Sequence, residues 1–158
     1  MVRPLVRDRF AVSIQTEPFV TEALQKALHE REAGAIVTFT GYVRACNDGA
    51  AITALELEHY PGMTENSLRA ILDEAAQRWS VLAATVVHRV GLLAVGEPVV
   101  WVGVSSAHRG DAFTACEYVM DYLKTEAPFW KKEHGDTGSR WLEARASDSE
   151  RARRWQLP

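Results

Sequence analysis

Residues 101–133 read WVGVSSAHRGDAFTACEYVMDYLKTEAPFWKKE. The first six are an apolar run of β-favouring residues. The chain then turns through Ala107, His108, Arg109 and Gly110. From Asp111 the residues Ala112, Cys116, Val119, Met120 and Leu123 recur at the period of an amphipathic helix that runs to about Glu126. A strand leading directly into a helix, each with an apolar face to bury, makes the fold a layered mixture of the two. Pro128 ends or re-starts that helix, so the segment from Pro128 is expected to be a shorter turn or helix. Lys124 and Lys131, seven residues apart, would then stand close to two helical turns from each other.

Moving outward, PVVWVGVSS is preceded by LAATVVHRVG, and the two strands are separated by a turn around Val95-Gly96-Glu97-Pro98. A helix begins at Met63 or Thr64, after the stop Pro61-Gly62. Its apolar stripe is Leu68, Ile71, Leu72, Ala75 and Trp79. Before it, GAIVTFTGYVR and ITALELEHY read as strands joined in a hairpin by the turn signal Asn47-Asp48-Gly49. Phe10, Val12 and Ile14 alternate as a short strand, and an amphipathic helix is expected from about 18 to 31. A last strand is expected near SRWLEAR. The order β-α-β-β-α-β-β-α-β predicts one α+β domain with helices packed on a largely antiparallel sheet. Residues 1–9 are expected to be a leader, 10–146 the domain, and 147–158 a charged, mobile tail.

Length and composition agree. With 158 residues the chain can bury about 70% of the surface it exposes when unfolded. A formal net charge of -3 excludes a general nucleic-acid binder, which carries a basic excess. No apolar run is long enough to span a membrane, and the N-terminus is too charged for a secretory signal. The two cysteines, Cys46 and Cys116, form no disulfide framework. A reducing, cytoplasmic home follows as the expectation.

The side chains able to do chemistry are cationic. His108 and Arg109 precede a helix N-terminus, where free N–H groups and the helix dipole favour an anion. Lys124 stands at the edge of an apolar stripe, and Lys131 follows Phe129 and Trp130, aromatics able to desolvate an amine. Arg44 ends one strand and Arg145 another, and a plain salt bridge explains each as well as a ligand does. The five histidines have no ligand spacing and no HExxH or cysteine cluster accompanies them, so no metal is expected. No Gly-rich phosphate loop is present, so no cofactor is expected either. These residues alone suit transfer of an acyl-like or sulfur-bearing group to a phosphorylated substrate, or equally a non-catalytic scaffold that binds an anion or a partner tail.

Five motifs in this order and at these separations carry a resemblance: GAIVTFTGYVR, LELEHYPGMTE, HRVGLLAVGEPVVWVGVSSAHRGDAF, MDYLKTEAPFWKKE and RWLEAR. Over roughly residues 10–148 the chain resembles the catalytic (large) subunit of molybdopterin synthase. The resemblance implies an α/β hammerhead fold and a sulfurtransferase of molybdenum cofactor biosynthesis. It implies transfer of sulfur from the C-terminal thiocarboxylate of a small ubiquitin-like partner subunit to cyclic pyranopterin monophosphate, forming the dithiolene. It also implies a homodimer at the core of a heterotetramer. By the same resemblance Lys124 and Lys131 match the catalytic lysines, His108 and Arg109 the grip on the substrate phosphate, and Arg44 and Arg145 further pocket arginines. Ala45-Cys46 and Glu126 depart from the family's usual polar and basic residues.

Overall fold

The structure is a computed structural model that describes residues 9–156. The expected leader thus lies outside the described residues, Arg9 excepted. The stretch at 101–106 is the middle of the molecule. Strand β8 (Pro98–Ser106) is buried at every position after Pro98. It lies between β6 (Val81–Arg89) and β2 (Ala35–Tyr42) in a four-stranded sheet that β1 (Phe10–Gln15) completes, in the order β1-β6-β8-β2. Both faces of β8 are used, which is why it reads as a continuous apolar run. Val100, Val102 and Val104 face the main core, under α2 (Met63–Arg78) and α3 (Arg109–Leu123). Trp101 faces a smaller cluster with Leu28, Ala83 and Val87. Leu28 comes from α1 (Thr21–Leu28), which is shorter than the expected helix. Gly103 is needed on that second face, because a Cβ there would stand 2.4 Å from both Leu28 and the Trp101 ring.

A second sheet has the order β10-β9-β5-β7 and is antiparallel throughout. Its strands are β5 (Ala54–His59), β7 (Gly91–Ala94), β9 (Phe129–Gly135) and β10 (Gly138–Trp141). Leu57 and Leu93 carry its inner face into the main core. Gly91, with φ of +92°, turns LAATVVHRVG out of the first sheet into the second, splitting one expected strand into two.

Five expectations need correction. GAIVTFTGYVR and ITALELEHY do not pair with each other; β2 and β5 belong to different sheets. The turn at Asn47-Asp48-Gly49 closes only the two-residue ribbon β3 (Cys46–Asn47) and β4 (Ala50–Ala51). The arrangement is therefore two sheets rather than one, with a parallel pair between β1 and β6. The segment after Pro128 is β9, a strand held between β5 and β10, so partner strands override the helical spacing of its lysines. The last strand stops at Trp141. Finally, residues 147–156 are not a loose tail: α4 (Ala146–Arg153) and a 3-10 turn at Arg154–Gln156 dock on α3. Asp121 of α3 accepts hydrogen bonds from Arg151 at 3.2 Å, Arg154 at 2.8 Å and the Trp155 indole at 2.7 Å. The Trp155 ring packs edge-on against Trp79 and Tyr118.

Candidate active site

Lys124 is the C-cap of α3, with its backbone N–H on the carbonyl of Met120 at 3.1 Å. Thr125–Pro128 reverse the chain, and β9 returns along β5. In β9 side chains alternate across the sheet, so Phe129, Lys131 and Glu133 share the inner face. Lys131 lies opposite Leu57, and Glu133 opposite Leu55. Both lysines line one cavity of about 380 Å³. A register shift at Gly41/Tyr42 bends the end of β2 toward the same space. Arg44 follows that bend. Arg145, the N-cap of α4, closes the other side. The floor is apolar, with Leu55, Val99, Val100 and Phe129, and three carboxylates also line the walls: Glu133, Glu143 and Asp148.

Burial and then the charge of Lys124 bring the Lys131 amine down to about 8. Lys131 therefore gives up its proton far more readily than an ordinary lysine. His88 is buried and stacks on Phe129, with ring centroids 3.9 Å apart. Burial, against the bond to the Arg89 carbonyl, lowers His88 to about 3. Its imidazole is thus neutral, donating from Nδ1 to the Arg89 oxygen at 2.8 Å. It makes an uncharged underlay for the lysines.

His108 and Arg109 are elsewhere. His108 is the N-cap and Arg109 the first residue of α3, and both are exposed. The helix has 15 residues, so roughly 22 Å of axis separates this end from Lys124. Neither residue lines the cavity. One chain brings together Lys124, Lys131, Arg44 and Arg145 and leaves His108 and Arg109 at the far end of α3.

Two polar residues in this site escape a reading of sequence. Asn47 is buried, and its side chain meets Arg44, Arg145 and Glu133. In sequence it looks like a turn former, which it also is. Glu133 looks like a solvated charge after two lysines. Only the strand assignment for β9 reveals, through the two-residue alternation, that it points inward with Lys131.

A site of four cations over an apolar floor can hold anions and move a proton between them, and comparison with known proteins agrees in kind. The family model described as MoaE protein matches residues 14–126. A molybdopterin synthase catalytic subunit of Pseudomonas aeruginosa is 51% identical over 148 residues, covering 92% of this chain and 99% of the relative. The solved molybdopterin biosynthesis MoaE protein of Burkholderia ambifaria superposes with a TM-score of 0.80 at 46% identity, covering 94% of this chain and 99% of that one. The solved molybdopterin synthase of Staphylococcus aureus gives 0.79 at 38% identity, covering 83% and 96%. The chain belongs to the MoaE protein family.

Proposed function

We propose that this chain is the catalytic subunit of a molybdopterin synthase. It transfers sulfur from the C-terminal thiocarboxylate of a small ubiquitin-like partner subunit to cyclic pyranopterin monophosphate, building the dithiolene. The observation that carries the reading is the convergence of Lys124, Lys131, Arg44 and Arg145 on one cavity with an apolar floor. Thiocarboxylate and phosphate are both anions, and holding them together requires cations fixed beforehand in a site poor in water. The partner's tail would enter as an extended chain. Lys124 stabilises developing charge or transfers a proton as sulfur attacks the pterin. Lys131 holds the thiocarboxylate end. Arg44 and Arg145 face the substrate's anionic groups.

His108 and Arg109 grip phosphate in this reading only if they come from a second copy of the chain, because their own cavity lies a full helix length away. The working unit is accordingly a homodimer carrying one small subunit per cavity.

The test is to mix the purified chain with thiocarboxylated small subunit and pterin precursor and to assay molybdopterin. Lys124→Ala should lose at least about a hundredfold in rate, with circular dichroism unchanged because Lys124 is an exposed cap. Normal product formation by that variant would sink the reading, and product formed without any small subunit would remove the partner from it.

A further inference from the structure

We propose that Asn47 is a positioning residue for this reaction: its amide aligns Arg44 and Arg145 at the lysine cavity while holding the Glu133 carboxylate off them. This rests on the reading of the cavity given above. Asn47 is only 7% exposed. Its Oδ1 accepts from Nη2 of Arg44 at 3.4 Å and from Nη2 of Arg145. Its Nδ2 donates to Oε1 of Glu133, whose other oxygen accepts from Nε of Arg140 at 3.4 Å. Three separate segments of the chain are thus tied at one amide.

The chemistry of the amide explains why asparagine serves here. A short side chain must offer an acceptor to two guanidiniums and a donor to a carboxylate at once, and an amide does so without adding charge and from two separate atoms, Oδ1 toward the arginines and Nδ2 toward Glu133. The opposite amide orientation would face N–H groups to both arginines and oxygen to the carboxylate, so the surroundings force a single orientation. Glu133 shares the inner face of β9 with Lys131 and is nearly buried. A carboxylate in that place would pair with any free guanidinium and cancel the charge an anionic substrate needs. Asn47 spaces the two apart. Asn47 lines the cavity beside the arginines and acts through them.

The experiment uses the full chain with its thiocarboxylated partner and phosphorylated pterin. Asn47→Ala should raise KM for the pterin by roughly ten- to a hundredfold, with a smaller change in kcat, as expected for misplaced binding groups. The loss in the double variant Asn47→Ala/Arg145→Ala should fall short of the product of the two single losses, because part of what Asn47 does runs through Arg145 and the rest through Arg44. The swap Asn47→Asp/Glu133→Gln guards against misfolding. It keeps net charge and every hydrogen bond but puts a carboxylate directly on the guanidiniums, so its KM should also rise. Guanidinium NMR signals of Arg44 and Arg145 in the free protein report alignment with no assay. They should be sharp in the parent and the swap and broadened in Asn47→Ala. A parent-like KM in Asn47→Ala or in the swap, losses that multiply in the double variant, or guanidinium signals indifferent to Asn47 would each overturn the proposal. Normal turnover by Lys124→Ala run alongside would bring down the cavity reading itself, and this proposal with it.

Discussion

The amine of Lys131 bears two costs at once, removal from water and the neighbouring charge of Lys124, and together they bring it down to about 8 from 10.5. If its ammonium holds an anion, kcat/KM falls as pH rises through about 8. Lys131→Arg, which stays charged, should carry that limb well above pH 9 in the molybdopterin assay. The same shift makes a statement about stability. The unfolded chain binds more protons than the folded one between about 8 and 10.5, so stability rises with pH across that window. The cost is present in full below it. Lys131→Met should therefore melt at a higher temperature than the parent at pH 7, and the gap should narrow as the pH approaches 10.5. Differential scanning calorimetry at both ends of the window checks this. A variant less stable than the parent at pH 7 would show the lysine to be a structural asset instead.

Helix α4 shows what an element can hide from a sequence. SDSERARRW carries no apolar stripe and looks solvated, yet its arginines and Trp155 close around Asp121, some thirty positions earlier on α3. Burial would raise the Asp121 carboxyl, but bonds from Trp155, Arg154 and Arg151 outweigh it and hold the group below its usual range. Asp121→Asn weakens two arginine contacts, and its amide can still accept from the indole. A loss of about 1–3 kcal/mol follows in urea denaturation at pH 7. A carboxyl lowered on folding contributes above its unfolded value near 3.8, and that contribution is lost as pH falls through the folded one. Parent and variant should therefore converge in acid. Because α4 also carries Arg145 as its N-cap, its docking reaches the cavity. Local pattern fared better where partners were close in sequence. The β8–α3 unit and the α2 stripe were legible from periodicity alone, whereas β9 was not. Its strand state is imposed by β5 and β10, and Pro128 suggested a helix boundary rather than a crossing into another sheet.

At the scale of the whole molecule, nearness in sequence and nearness in space part company along α3. His108, Arg109, Lys124 and Lys131 fall within one stretch of sequence, yet the first two lie at the far end of a 15-residue helix from the other two. A phosphate grip at His108 and Arg109 can serve Lys124 only across an interface between two copies. In an isologous dimer each cavity would then draw its lysines from one copy and its grip from the other. Two inactive variants can decide the matter together. In a mixed dimer of Arg109→Ala with Lys124→Ala, one cavity carries both defects and the other carries none. Random exchange of equal amounts makes half the dimers mixed, so activity should recover to about a quarter of the parent's. If grip and lysines served within one copy, every cavity would keep one defect and the mixture would stay as inactive as its components. Subunit exchange followed by the molybdopterin assay reads the difference directly. A mixture that gains nothing, although mass spectrometry shows mixed dimers present, would remove His108 and Arg109 from the cavity's chemistry.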